Sequence, residues 1–262
     1  MNDKAIGIFD SGIGGTSIWQ EIAQALPNEN TIYLADSKYA PYGNRSKDEI
    51  ISLSIKNTKK LIELDCKIIV VACNTATTNA IKILRKQFDI PFIGIEPAIK
   101  PAAINSKTQK IGILATKGTL SSELFAKTSG LYTNSTEVIE VVGTDLVDLI
   151  EKGKINTPEM MNLLTSYTLP MVEKNIDYLV LGCSHYPYLI PILKKILPSN
   201  IIIIDSGEAV ARQTKSILQK NKALTTSLEK GTHTFFTNSS LDILKKTLKK
   251  SSQINKYEIL DF

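Results

Sequence analysis

Short apolar runs recur along the chain between stretches with helical patterning: "IGIF" at 6, "TIYL" at 31, "IIVVA" at 68, "PFIGI" at 91, "IGIL" at 111, "VIEVV" at 138, "YLVLG" at 178 and "IIIID" at 201. Runs of four or five apolar residues that alternate with helices predict βαβ units around parallel sheets buried on both faces. The runs also pair off. Ile6 matches Ile111, Ile32 matches Ile139, Ile68 matches Tyr178 and Phe92 matches Ile201, each about 105 to 110 residues later. The pattern predicts an α/β protein of two similar parallel-sheet halves, related by pseudo-twofold symmetry, with a site at their interface. Two prolines in "EPAIKPAA", residues 96 to 103, mark the expected boundary. The first half is expected to hold residues 1–97 with 210–262, and the second residues 98–209. After Asp205 the pattern becomes a helix, "GEAVARQTKSILQK", then an added strand near "THTFFTN" and a last helix. This tail belongs to neither repeat and is expected to pack back on the first half.

The third strand of each half ends at a cysteine, Cys73 in "VVACNTATTNA" and Cys183 in "LVLGCSHYPYL". Other strand ends carry Asp10 and Ser11 after the first run and Thr116 after the fifth. In open parallel sheets ligands bind outside the carboxyl ends of the strands, where helix N-termini offer N–H groups to carboxylates or phosphates. Helix N-termini also favour thiolates, and thiol pKa values there can fall from about 8.5 to roughly 7.5 or below, so Cys73 and Cys183 sit where a thiol becomes a usable base. Asp10 and His185 are the nearest groups able to hold or pass protons. A matched pair of thiols suits one chemistry in particular: inversion at a carbon, with a proton taken from one face and another delivered to the opposite face. The bland alternative is that both cysteines are small core residues.

Composition narrows the setting. The chain has 262 residues, 43% of them hydrophobic, enough for one large core or two ordinary ones. No run approaches the roughly 20 apolar residues of a membrane helix, and the N-terminal apolar run is too short for a signal peptide. A cytoplasmic protein without membrane contact is expected. The net charge of +5 comes from lysines scattered among acids, so no nucleic-acid partner is expected. The run "LKKTLKK" at 244 to 250 reads as a solvated helix face. Cys66, Cys73 and Cys183 form no CxxC pair, which fits reduced thiols better than a disulfide framework.

The stretches "IGIFDSGIGG", "YLADSKYAPYG", "VVACNTAT", "PFIGIEPAIKPA" and "LGCSHYP" resemble, in order and over most of the chain to about residue 215, the motifs of the bacterial glutamate racemases. The resemblance implies a cofactor-independent enzyme, with no metal, that interconverts L- and D-glutamate and supplies D-glutamate for peptidoglycan. It makes Cys73 and Cys183 the acid/base pair, with Asp10 assisting Cys73 and His185 assisting Cys183. Substrate contacts would come from Asp10, Ser11, Tyr42, Gly43, Asn74, Thr75, Ser184 and His185. Glu151, in "LVDLIEKG", resembles a family glutamate near the second cysteine. Ser184 stands where the family more often has threonine, so the hydroxyl is kept, and Gly143 and Thr144 replace a frequent Cys-Pro. Family members form dimers, so a homodimer is expected.

Other readings compete. A racemase for aspartate or another amino acid would share the architecture, and a non-catalytic protein could clamp a ligand between its halves. The loop "DSGIGGTS" imitates a dinucleotide fingerprint through Gly12, Gly14 and the later Asp36, but Ser17 replaces the third glycine and Asp10 would sit beside the pyrophosphate. Cys73, Cys183 and His185 lack the spacing of a zinc site. No strand end offers a lysine for pyridoxal phosphate. His233 and Cys66 match no constellation and read as structural.

Overall fold

The computed structural model describes residues 3–132, 136–248 and 255–262. The first sheet begins with β1 (Ile6–Asp10), β2 (Thr31–Ala35), β3 (Ile68–Val71) and β4 (Phe92–Gly94), and the second holds β5 (Lys110–Ala115), β6 (Glu137–Val142), β7 (Tyr178–Gly182) and β8 (Ile202–Ile204). The tail adds β9 (His233–Thr237) and β10 (Asn255–Ile259). All eight apolar runs are strands. The strand order is β10-β9-β2-β1-β3-β4 in the first sheet and β6-β5-β7-β8 in the second, and every pairing is parallel.

The order β2-β1-β3-β4 thus recurs as β6-β5-β7-β8, the internal repeat made visible. Register carries the match to single residues. Gly7 pairs with Ile32 and Ile69 in the first sheet, and Gly112 pairs with Ile139 and Leu179 in the second. Phe92 differs from expectation: it pairs with Ile69 as Ile203 pairs with Leu179, so its counterpart is Ile203 instead of Ile201. A slip of two residues keeps the same face inward, which is why apolar pattern alone could not exclude it.

The helices lie between strands as parallel crossovers require. They are α1 (Thr16–Ala25), α2 (Lys47–Glu63), α3 (Asn74–Gln87), α4 (Ile99–Asn105), α5 (Lys117–Leu120), α6 (Glu123–Gly130), α7 (Leu146–Glu151), α8 (Pro158–Glu173), α9 (Ile190–Ile196), α10 (Gly207–Lys220) and α11 (Leu241–Leu248). Every residue of β1 and β3 is buried, and their side chains alternate between faces. Ile6, Ile8, Ile68 and Val70 pack with Ile18, Trp19 and Ile22 of α1, whereas Phe9, Ile69 and Val71 pack with Leu61 of α2 and Leu84 of α3. The first of these clusters continues into Leu179 and Leu181 of β7 and Leu164 of α8, so one apolar core runs through both sheets.

The tail is seated from within. Trp19 Nε1 donates to Thr31 Oγ1, which bonds His233 Nδ1, and the Trp19 ring meets those of His233 and Phe235 edge-on. His233 is thereby part of the packing of β9. On α11, Lys245 and Lys246 are exposed as the solvated-face reading expects; Lys249 and Lys250 lie outside the described residues.

In both sheets strand order reverses between the first and third strands of the repeat, β1 and β3 or β5 and β7. Asp10 closes β1 and Cys73 follows β3; Thr116 follows β5 and Cys183 follows β7. The four polar strand ends therefore stand at the two points where a doubly wound sheet opens a crevice.

Candidate active site

The turn from β1 into α1, Asp10 to Gly15, is the platform of the site. Asp10 is fully buried; its Oδ2 accepts from the Gly15 N–H at 2.8 Å and its Oδ1 accepts from Ser184 Oγ at 3.2 Å. The second contact crosses between halves. Burial raises the Asp10 pKa above the usual carboxylate range, against the lowering effect of His185 and of the Gly15 N–H.

The glycines of this turn make room for the other half. A Cβ on Gly12 would fall 2.0 Å from Glu151 Oε1, and one on Gly14 would fall 2.2 Å from His185 Nδ1. The resemblance to a dinucleotide loop has this physical origin: the backbone must approach a glutamate and a histidine closely. Glu151, the last residue of α7, accepts from the Ile13 N–H at 2.7 Å and lies 2.6 Å from His185 Nε2. A carboxylate oxygen can only accept, so Nε2 is the donor of that short contact. The Gly14 N–H, 3.2 Å from the same nitrogen, is then poorly satisfied.

His185 Nδ1 is 3.8 Å from Cys183 Sγ. Burial works against a charged ring here, but the contacts to Cys183 and Glu151 and the negative Asp10 outweigh it and hold the His185 pKa well above the ordinary imidazole value. Cys183 is thus backed by an imidazole that is itself held by a carboxylate.

Cys73 has a different environment. It caps α3, with Sγ accepting from the Ala76 N–H at 3.4 Å, and its thiol points at Ser11 Oγ at 3.9 Å. A lowered thiol pKa is not found at Cys73. Burial pushes the Cys73 thiol well above its usual value, the Asp10 charge adds to this, and the Ala76 N–H offsets only part. Removing a small anion from water outweighs what one N–H at a helix N-terminus returns. Cys66, the third thiol, lies against Gly7 far along β1, and burial raises it to about 12.

The remaining sequence-derived positions divide. Asn74 is buried, and neither its Nδ2 nor its Oδ1 has a hydrogen-bond partner, a costly state for an amide unless a ligand satisfies it. Thr75 Oγ1 stands 2.8 Å from Thr116 Oγ1 and 3.2 Å from Thr119 Oγ1, a triangle of hydroxyls built from both halves. Gly43 backs onto Thr116, where a Cβ would clash at 2.8 Å, and a cavity of about 150 Å³ opens beside this contact. Tyr42 is the exception. Its hydroxyl is buried and donates to Asp36, and burial followed by the Asp36 charge raises its pKa well above the usual phenol value. Any contact from Tyr42 to a small ligand would then come from its backbone or ring.

Thr119, Asp36 and Asn57 belong to this neighbourhood without having been singled out for it. In the sequence Asp36 has no role beyond the rejected dinucleotide pattern, and nothing in the local pattern marks a carboxylate that ends up fully buried. Among the described residues, no group of three or more His, Cys, Asp or Glu is arranged to hold a metal ion, and no helix is long and apolar enough to cross a membrane.

Known proteins resemble this chain in sequence and in fold. The profile of the Asp/Glu/hydantoin racemase family matches residues 6–214. A glutamate racemase of Herpetosiphon aurantiacus is 41% identical over 218 residues, which cover 83% of this chain and 86% of that protein. A glutamate racemase isoform of Bacillus anthracis superposes with a TM-score of 0.89 at 32% identity, over 100% of this chain and 99% of that one. Glutamate racemase from Escherichia coli, solved with L-glutamate and an activator, superposes with a TM-score of 0.87 at 29% identity, over 98% of each chain. With its strand order repeated in two sheets, a cysteine after the third strand of each, and these matches over most of its length, the chain belongs to the Asp/Glu/hydantoin racemase family.

Proposed function

We propose that this protein is a glutamate racemase that inverts the α-carbon by a two-thiol mechanism without an added cofactor. The observation that carries the reading is a line of contacts between the two strand-end cysteines: Cys73 to Ser11, Asp10 beside Ser11, Asp10 to Ser184, and Cys183 beside Ser184 and against His185. It draws on both halves, as a reaction at two faces of one carbon requires.

In this reading one cysteine, as thiolate, takes the α-proton of glutamate, and the opposite thiol donates its proton to the other face. The first sulfur ends protonated and the second ends as thiolate, so the return reaction runs with the roles exchanged. Asp10 serves Cys73, and His185, held by Glu151, serves Cys183. The orphaned Asn74 amide and the hydroxyls of Thr75 and Ser184 are the groups offered to the substrate, with Ser11 and the segment at Tyr42 and Gly43 alongside. N–H groups at the strand ends would carry the negative charge that develops on the α-carboxylate, the main electrostatic demand of a carbanion. Three unpaired cysteines suit a reducing cytoplasm, where D-glutamate would feed peptidoglycan synthesis. A homodimer belongs to the same proposal and is read by light scattering.

Circular dichroism of D-glutamate mixed with purified protein in D₂O tests the reading. Decay of the signal, with deuterium at the α-carbon of both enantiomers, is the expected result. A constant signal, or racemisation of aspartate alone, would overturn it.

A further inference from the structure

Asp36 is fully buried, yet its carboxylate is fully supplied with donors. Oδ1 accepts from Lys56 Nζ at 3.1 Å and from Asn238 Nδ2 at 2.5 Å, and Oδ2 accepts from Asn57 Nδ2 at 3.1 Å and from the Tyr42 hydroxyl. A buried carboxylate remains charged only when such partners replace its hydration. One of the four comes from the tail, 202 residues away and outside the matched family region.

The register explains how it gets there. Ala35 at the end of β2 pairs with Thr237 at the end of β9, so the next residue of each strand, Asp36 and Asn238, emerge side by side. Asn238 uses both ends of its amide. Nδ2 donates to Asp36, and Oδ1 accepts from the backbone N–H of Lys38 at 2.9 Å. The side chain therefore fastens both the carboxylate that holds the Tyr42 hydroxyl and the first turn of the segment leading to Tyr42 and Gly43. That segment meets the second half at Thr116, and Ser37 Oγ within it lies 3.5 Å from Glu151 Oε2.

We infer that Asn238 is a positioning residue for substrate binding, holding residues 36–45 in the place where Tyr42 and Gly43 complete the site. The inference rests on the glutamate racemase reading. Tail strand β9 then has a role in the site that packing alone would not give it.

The test pairs hydrogen exchange of the ligand-free protein with kinetics. Asn238→Ala should speed exchange of amides within residues 36–45 by about tenfold while leaving α8 and α9 unchanged. It should raise KM for both glutamate enantiomers by roughly tenfold, as the loss of a hydrogen bond to a buried charge allows, with kcat within about threefold of wild type. Asn238→Asp, which sets a second carboxylate against Asp36, should raise KM further. Ser240→Ala, whose hydroxyl bonds Asp242 in its own turn, is the control for a purely structural change and should leave KM and the exchange of residues 36–45 alone. Unchanged exchange of that segment in Asn238→Ala would overturn the inference, as would faster exchange with an unaltered KM. Wild-type protein that fails to turn over glutamate would instead remove the proposed function, a result seen without any variant.

Discussion

The two cysteine ends occupy equivalent places in the repeated strand order but have been given unequal chemistry. Cys73 caps a helix, faces a serine hydroxyl and is kept in its thiol form by burial and by Asp10. Cys183 caps no regular α-helix and stands beside His185, whose other nitrogen is held by Glu151. A symmetric backbone thus supplies two sulfurs at matched positions, and unmatched neighbours decide the resting protonation around them. In the proposed reaction the two thiols exchange roles with direction, and each does so among its own neighbours.

The largest expected effect treats the ends alike. Cys73→Ala and Cys183→Ala should each lower kcat by at least about 10² to 10⁴ in both directions, measured by circular dichroism from either enantiomer. Wild-type turnover in either variant would mean that one end alone does the chemistry.

Next comes a change confined to one end. Gly14→Ala places a methyl where the His185 ring stands, so the ring must leave its present position beside Cys183. We expect roughly a 10²-fold loss of kcat, since misplacement of a working group by about an ångström has that effect. The melting temperature should fall much less than for a core cavity. Normal activity in this variant would show that the 3.8 Å contact between His185 and Cys183 is dispensable.

Asp10→Asn and His185→Asn separate the ends more finely. Because the equilibrium constant between enantiomers is one, kcat/KM has to fall equally in both directions. The asymmetry must appear elsewhere, in kcat alone and in primary isotope effects with α-deuterated L- or D-glutamate. We expect the two variants to shift the larger isotope effect to opposite enantiomers, with kcat differing between directions by roughly tenfold. Identical effects would make both residues structural.

The smallest effects are on stability, and their signs follow from the pKa directions. His185 is raised above the ordinary imidazole value of 6.5, so the stabilisation it contributes is complete below that pH and is lost as pH rises through its folded value. His185→Asn should flatten the alkaline decline of the melting temperature. Asp10 is raised too, but as a carboxyl: once ionised at neutral pH it destabilises the fold. Asn at this position can keep a carbonyl towards Gly15 and offer its amide to Ser184. We expect Asp10→Asn to lose activity yet melt a few degrees higher at pH 7, about what 1 kcal/mol gives in a chain of this size. A lower melting temperature would mean that the Asp10 carboxylate is a net stabiliser.

The strands were legible because a central parallel strand is buried on both faces, so its apolar run is continuous and appears in the sequence without help from any neighbour. Cys73 and Cys183 stood out for the same reason, as polar breaks at the ends of two such runs. The final strand, β10, went unseen. It is the edge strand of its sheet, and "NKYEI" carries little of the apolar continuity that marks β1 or β3. The lowered thiol pKa was wrong at Cys73 because helix position can be read locally, whereas the depth of burial that outweighs it cannot.

Sequence alone therefore settled the repeat, the strand ends and which side chains could do chemistry, all of them properties of neighbouring residues along the chain. Only the folded chain decided which of these groups touch. Ile13 meets Glu151 across 138 residues and Asp36 meets Asn238 across 202, because register and helix packing bring together backbone that no local pattern connects. Protonation followed the same division: each group brought its intrinsic pKa, and burial with the partners the fold placed beside it set the direction in which it moved.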